Sequence, residues 1–392
     1  MKNEIRDILP RILMLCFRIF RTNPKKAVFK SFRGLECGDN PRAVYDEMYK
    51  RRPDYTYIWI TQDMSETVPG AKMVRHGSIR EIYELATARL WVDNKRKGCW
   101  ASKRKGQLYI QTWHGGICLK KIEKDAEENL PAYYIKSAKK DSMLADAMTS
   151  SSKWQDNQYR EAFWFNNTIL KYGLPRSDVY YREHESVMAS VREAFNLPLD
   201  AKLVLYAPTF RDDHRTDVYD IDYNSLVSAL ESKYGGSWYI LVRMHPNVSD
   251  RADVVEYGER IINATPYPFM NELVIGADLV ITDYSSTMFD AMEAGKKVVI
   301  YAADIEQYTK DRGFYFDIRN LPFPLSETNE ELIRVIDEFD EDAYNDKVTK
   351  FNDEVGLYSD GHASERTVDY ILQRIEYKNG RKAWPKISVM HR

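Results

Sequence analysis

The sequence predicts an α/β protein built from two parallel-sheet domains that face one another across a cleft. Three observations carry this expectation. Short apolar runs alternate with helical patterns from Ala27 to Tyr301, the alternation that builds parallel sheets with helices on both faces. The chain has 392 residues, a length that suits two domains at about 150 residues each. A charged helical stretch near 183–201, ending in Asn196-Leu-Pro-Leu-Asp200, divides the strand series in two and reads as an interdomain linker.

The elements follow in order. Residues 4–21 have the pattern of a basic amphipathic helix: Ile8, Ile12, Leu15 and Ile19 recur at helical spacing, and Leu9, Leu13, Phe17 and Phe20 widen the apolar face. Arg6, Arg11, Arg18, Arg21, Lys25 and Lys26 add positive charge. Two readings stand for it. The helix lies in a lipid interface with its cations toward anionic headgroups, or it docks on the protein's own surface. Strands are expected at Ala27–Ser31, Tyr57–Thr61, Leu90–Asp93 and Leu108–Thr112, then at Leu203–Tyr206, Tyr239–Met244, Leu279–Thr282 and Val298–Tyr301. Helical patterns at 41–50, 79–87, 223–232 and 287–294 lie between them. The expected partition is a membrane-associating helix over 1–24, an acceptor domain over 25–192 and a donor domain over 193–392. The last carries a C-terminal helix and a basic tail with Arg381, Lys382, Trp384 and Lys386. Two Rossmann-like domains facing a cleft have the GT-B architecture of nucleotide-dependent transferases, although fold analogy alone sets no activity.

Composition narrows the class. Hydrophobic residues make up 44% and charged residues 30%, which suits a folded core rather than disorder. A net charge of −2 gives no global case for nucleic acid. The cysteines Cys16, Cys37, Cys99 and Cys118 form no CxxC pair and no cluster with histidine, so neither a zinc site nor a disulfide framework is expected. Free thiols suit a reducing cytoplasm. No run reaches the roughly 18 apolar residues of a membrane span. No small-residue cleavage site follows the N-terminal helix, which argues against a secretory signal.

In open parallel sheets, ligands bind beyond the carboxyl ends of the strands. Four such ends carry unusual polar loops. Gln111-Thr-Trp-His114-Gly115-Gly116 offers a histidine suited to general-base work beside glycines that admit a ligand closely; a turn with an incidental histidine is the plain alternative. Lys120 and Lys121 follow and suit an acceptor's negative charge. Tyr206-Ala-Pro-Thr209-Phe-Arg211 supplies a hydroxyl and a guanidinium for a phosphate, or only a salt bridge. Arg243-Met-His245-Pro-Asn247 places Arg243 and His245 on one face of a strand end, which suits a diphosphate or two solvated side chains. Thr282-Asp-Tyr-Ser285-Ser286 joins a strand to a helix whose N-terminus suits an anion, and ordinary N-capping is compatible with that. The runs Lys95-Arg-Lys97 and Lys103-Arg-Lys105 add local positive charge or are plain solvated loops.

Taken with Val28-Phe-Lys-Ser-Phe-Arg-Gly34, Asp39-Asn-Pro-Arg42, Lys103-Arg-Lys-Gly-Gln107, Gly173-Leu-Pro-Arg176, Arg312-Gly-Phe-Tyr-Phe-Asp317 and Asp360-Gly-His-Ala-Ser-Glu-Arg366, these loops resemble the CDP-glycerol glycerophosphotransferase family of teichoic acid synthesis. The resemblance spans nearly the whole chain. It implies a GT-B fold, a CDP-glycerol or CDP-ribitol donor, a lipid-linked saccharide acceptor and peripheral attachment at the cytoplasmic face of the membrane. It also implies that His114 and His245 are the functional histidines. One departure stands out. The family reads His-Gly-Thr-Pro-Leu-Lys-Lys, whereas Gly116, Ile117 and Cys118 separate His114-Gly115 from Leu119 here, so a hydroxyl beside the base is lost.

The expected reaction moves a polyol phosphate from the CDP donor to an acceptor hydroxyl and releases CMP. His114 is the expected base, with His245, Arg243, Arg211, Thr209, Ser285 and Ser286 on the diphosphate. No metal site and no tightly bound cofactor are expected; Mg2+ accompanying the donor is left open. A nucleotide-sugar glycosyltransferase and a non-catalytic binding scaffold are the rival readings.

Overall fold

The computed structural model describes residues 2–182, 184–209, 211, 219–244, 255–311 and 313–376. The chain opens with helix α1 (Lys2–Cys16), which runs into a short 3-10 turn at Phe17–Ile19. Strand β1 (Asn23–Lys30), α2 (Asp39–Arg51), β2 (Thr56–Thr61), β3 (Ala71–Arg75), α3 (Ile79–Thr87) and β4 (Ala88–Asp93) follow. Then come β5 (Leu108–Gln111), α4 (Ala132–Leu144), β6 (Ala147–Ser150), α5 (Lys153–Glu161) and β7 (Thr168–Lys171). These seven strands form one parallel sheet in the order β3-β2-β1-β4-β5-β6-β7.

The second half repeats the plan. After α6 (Glu185–Ala194) come β8 (Lys202–Tyr206), α7 (Tyr223–Tyr234), β9 (Trp238–Val242), β10 (Ile261–Asn263) and α8 (Met270–Gly276). They continue into β11 (Leu279–Thr282), α9 (Thr287–Glu293), β12 (Lys297–Tyr301), α10 (Ile305–Asp311) and β13 (Leu325–Ser326). The six strands pair in the order β10-β9-β8-β11-β12-β13. Helices α11 (Asn329–Asp337), α12 (Glu341–Val355) and α13 (Ala363–Glu376) close the described chain. Central strands such as Leu-Val-Ile-Thr of β11 are buried along their whole length, which their uninterrupted apolar runs require of a sheet covered on both faces.

Both sheets reverse strand order once, between β1 and β4 and between β8 and β11. Such a switch point opens a crevice at the carboxyl ends of the strands. The loops leaving β1, β4, β5, β8, β9 and β11 therefore converge on one region, and all four loops singled out in the sequence belong to this set.

The C-terminal helix was expected to stay with the second domain. Instead, α13 packs on the first: Val368, Ile371, Leu372 and Ile375 join the core formed by Phe29, Tyr45, Tyr57 and Trp59. Its apolar stripe finds its cover there, and Asp178 accepts the backbone N–H groups of Ala363 and Ser364 at 2.8 Å each to start it. Helix α6 packs with the second core through Val191. Ile117 and Leu119, which follow the His114 loop, are also buried in that second core, and Lys120 bridges to Phe314. The two halves are thus tied by the chain running both ways.

Helix α1 docks by a narrow strip. Met14 is buried and Leu13 and Phe17 pack beside it, with the Phe17 ring 5.5 Å from that of Tyr83. Tyr133 donates to Asp7 at 2.7 Å. The wider stripe of Ile5, Ile8, Leu9, Ile12, Leu15 and Ile19 stays in solvent, with Ile8 55% and Ile12 51% exposed. No helix among the described residues is long and apolar enough to cross a membrane.

Candidate active site

A cleft of about 760 Å3 lies where the two switch points meet. The first domain lines it with Phe32, Glu36, Asp39, Arg42, His114 and Lys120. The second contributes Thr209, Arg243, Ser285, Ser286 and Thr287.

His114 stands at the end of β5 on a strained turn. Trp113 before it holds φ at +54°, a backbone state that costs a bulky residue energy and persists only where its surroundings enforce it. Gln111 accepts the Trp113 N–H at 2.9 Å, and Asp93 O accepts that of Thr112 at 2.9 Å. Beneath the turn the buried Arg96 guanidinium lies 5.3 Å from the Trp113 ring and pairs with Glu123 at 3.0 Å. The His114 Nδ1 is 2.9 Å from the carbonyl oxygen of Asn94. A carbonyl only accepts, so Nδ1 carries the hydrogen and the lone pair is on Nε2. The ammonium of Lys95 donates to that lone pair at 2.9 Å. Burial and then the Lys95 charge push the His114 pKa down to about 3. The imidazole is therefore neutral, in the tautomer that presents Nε2.

Gly115 gives its carbonyl to Gln155 at 2.8 Å. A Cβ on Gly116 would come within 2.9 Å of the Ser151 Oγ. A hydroxyl-bearing residue at this position, which the resemblance expects, would therefore require the Ser151 side chain to shift.

Arg176 joins the two domains at the cleft. It pairs with Asp290 of α9 through both carboxylate oxygens, at 2.7 and 2.9 Å, and with Asp39 at 3.2 Å. Burial works against its charge, yet Asp290 and Asp39 outweigh it and hold the guanidinium above its ordinary value. Asp39 itself has φ +58° and accepts from Asn94 at 2.6 Å, which links this pair to the residue that fixes the His114 tautomer.

On the second domain, Arg243 lines the cleft and donates to the carbonyl of Tyr267. Burial lowers its pKa, and Glu36 across the cleft opposes that. Glu36 is raised to about 7, by burial first and then by Asp39. Thr209 lines the cleft with its hydroxyl donating to Asp283 at 2.6 Å. Ser285 and Thr287 share a hydroxyl hydrogen bond of 3.0 Å. Ser286 precedes a helix of only seven residues, so the anion-binding character expected of that helix terminus rests on hydroxyls and local N–H groups more than on a macrodipole.

Two expectations are corrected, and one of two alternatives is set aside. Arg211 was expected on the diphosphate, but it is buried beneath the site: it pairs with Asp304 at 2.7 and 3.0 Å and with Asp283 at 2.8 Å, and donates to the carbonyl of Thr209. With those partners it positions the Thr209 loop. Lys121 is exposed and its stem packs on Gly313, away from the cleft, whereas Lys120 lines it. The basic runs are not simple solvated loops either. Lys97 is buried on Asp93 at 2.6 Å, Lys103 pairs with Asp146, and Arg104 holds the carbonyl of Phe20 at 2.7 Å. His245, Pro246, Asn247 and the tail with Arg381, Lys382, Trp384 and Lys386 lie outside the described residues.

Asn94, Lys95, Arg176 and Glu36 are the site residues that the sequence did not single out. Arg176 falls within a quoted motif, and Lys95 within a noted basic run, but no spacing ties either to His114.

Two switch-point domains with a neutral, oriented histidine on one wall and an arginine and hydroxyls on the other define a nucleotide-dependent group transferase. Residues 12–373 match the family model described as CDP-Glycerol:Poly(glycerophosphate) glycerophosphotransferase, and the chain belongs to that family. It is 30% identical to a teichoic acid poly(glycerol phosphate) polymerase of Bacillus spizizenii, over 95% of this chain and 100% of that one. It is also 30% identical to a teichoic acid glycerol-phosphate transferase of Staphylococcus aureus, with the same coverage of both. Relatives named for ribitol phosphate match as well. The structure of a variant of the wall teichoic acid polymerase TagF soaked with CDPG superposes with a TM-score of 0.85 at 30% identity, over 96% of both chains. The chain is thus an enzyme of the transferase type with a GT-B-like fold.

Proposed function

We propose that this enzyme transfers glycerol phosphate from CDP-glycerol to a hydroxyl of a lipid-linked saccharide acceptor and releases CMP, in teichoic acid synthesis. The His114 geometry carries the reading. A neutral imidazole with its lone pair on Nε2 lines the same cleft as Arg243 and Ser285 of the other domain. In the step, the acceptor oxygen bonds to phosphorus, its proton passes to His114 Nε2, the P–O bond to CMP breaks, and CMP keeps the electron pair. Such transfers depend mainly on positioning and charge stabilisation. Arg243, Thr209, Ser285 and Ser286 supply the donor side, and His245, which lies outside the described residues, is assigned to it from its motif alone. Lys120 supplies the acceptor side. The reading needs no tightly bound cofactor, and assays with and without Mg2+ test whether the ion travels with the donor.

The deciding experiment is CMP release from CDP-glycerol and CDP-ribitol, each with a lipid-like acceptor. Faster release from CDP-glycerol supports the reading; release only from CDP-ribitol replaces glycerol with ribitol. Attachment at the cytoplasmic face of the membrane is part of the proposal. The exposed stripe of α1, flanked by Arg6, Arg11 and Arg21, has the form of an interfacial helix.

A further inference from the structure

Lys95 has an unusual setting. It is half-buried at the carboxyl end of β4, with its ammonium 2.9 Å from His114 Nε2 and 5.4 Å from the Phe32 ring centroid. Both neighbours line the cleft. Among the described residues no carboxylate lies within ion-pairing distance of it, while Lys97, two positions on, is paired with Asp93. The charged groups around Lys95 are Arg33 after β1, Asp39 at the start of α2, Asp93 on β4 and Glu123 before α4. Around His114 they are Lys95, Arg176 and Arg96. A desolvated ammonium whose one strong contact is a neutral nitrogen is poorly compensated. It also occupies the lone pair that the base needs.

We propose that Lys95 is a further substrate-contacting residue of the first domain: its ammonium moves from His114 Nε2 onto a nonbridging oxygen of the phosphoryl group under transfer, so the arriving donor uncovers the base. This rests on the reading of His114 as the base. The chemistry follows from the side chain. A lysine ammonium is a compact point charge on a four-carbon stem that swings readily, and an anionic phosphoryl oxygen accepts a stronger hydrogen bond than an imidazole does. While that contact stands, burial and the Lys95 charge together keep His114 unprotonated. With the donor in place, Nε2 is free to take the acceptor's proton while Lys95 offsets charge on the phosphoryl oxygens.

The test compares wild type, Lys95→Met, Lys95→Arg and His114→Asn. Calorimetry with CDP-glycerol should show about tenfold weaker binding for Lys95→Met, the effect of losing one charge-assisted hydrogen bond. CMP, which lacks the transferred phosphoryl group, should bind both proteins equally. Lys95→Arg should recover part of the CDP-glycerol affinity. In NMR titrations the His114 imidazole should protonate at least one pH unit higher in Lys95→Met, and should also shift upward in wild type when CDP-glycerol is added. If His114→Asn is inactive while Lys95→Met keeps wild-type CDP-glycerol affinity and an unmoved His114 titration, the Lys95 assignment is overturned and the base stands. If His114→Asn keeps its turnover, the base reading itself fails. Equal weakening toward CMP and CDP-glycerol would overturn the phosphoryl contact.

Discussion

His114 owes its readiness to neighbours that no sequence spacing announces. Asn94 fixes the tautomer, and burial followed by the Lys95 charge holds the proton affinity down, so a change at His114 should act on turnover. His114→Ala is expected to lower kcat by about 10²–10⁴-fold while CDP-glycerol affinity, read by calorimetry, stays within a few fold. Glu36 gives a second expectation, this time on stability. Its folded pKa of about 7 lies above the ordinary 4.5. Between those values the folded protein holds a proton that the unfolded chain has released, so this group's contribution to stability falls as pH rises through that window. Glu36→Gln removes the loss. It should raise the melting temperature at about pH 8 by a few degrees, for a gain of order 1 kcal/mol, and leave it unchanged near pH 4. An equal shift at both pH values would show that titration is not the cause. At this scale the sequence was legible in residue type and blind to partners. Arg211 and Arg243 both follow strand ends with polar company, yet Asp283 and Asp304 enclose the first and the cleft receives the second. Those two carboxylates stand more than 70 positions downstream, beyond the reach of any local pattern.

Among the elements, the strands legible in the sequence are the fully buried ones. Leu279–Thr282 was expected and observed with the same limits, because an uninterrupted apolar run flanked by polar turns has one sensible environment. The strands missed were β3, β6, β7, β10 and β13. Four of them are edge strands or lie at the margin of the sheet: β3 and β7 are partly exposed, and β10 and β13 have three and two residues. The fifth, Ala147-Met-Thr-Ser150, is wholly buried but reads as polar; hydrogen bonds such as Thr149 Oγ1 to the carbonyl of Thr112 at 3.0 Å satisfy it. Helix α1 tests an element directly. Leu13, Met14 and Phe17 hold it to the domain, so deleting residues 1–22 would remove structural contacts together with any membrane contact. The exposed positions separate the two. Burying an isoleucine contributes about 1.5–3 kcal/mol, and the double substitution Ile8→Ser with Ile12→Ser should therefore lower sedimentation with anionic liposomes at least tenfold. Melting temperature and transfer to a short soluble acceptor should stay unchanged. Liposome binding equal to wild type would remove α1 from the membrane proposal.

For the whole molecule, the question is what holds two separately folded sheets in the register that puts His114 opposite Arg243. The cores supply two links, Ile117 and Leu119 in the second core and α13 on the first, and neither enters the cleft. Arg176 does. It spans Asp39 at the start of α2 and Asp290 of α9, and Asn271 of α8 donates to its carbonyl at 2.9 Å. The guanidinium is thus a cross-domain tie within the cleft, and its loss leaves two carboxylates facing each other without a cation. Removing one member of a buried ionic group costs about 3–5 kcal/mol because the remainder is uncompensated. Arg176→Met should accordingly lower the melting temperature and reduce turnover through displacement of Asp39, Asn94 and the His114 loop. Asp290→Asn in the same chain takes away half of the uncompensated charge. The double variant should therefore recover part of the stability lost by Arg176→Met, giving a coupling energy above about 0.5 kcal/mol in a double-mutant cycle. Turnover should recover far less, since the tie itself is still missing. A cycle with no coupling would mean that Arg176 and Asp290 are neighbours without energetic consequence, and that the domain register is set by the cores alone.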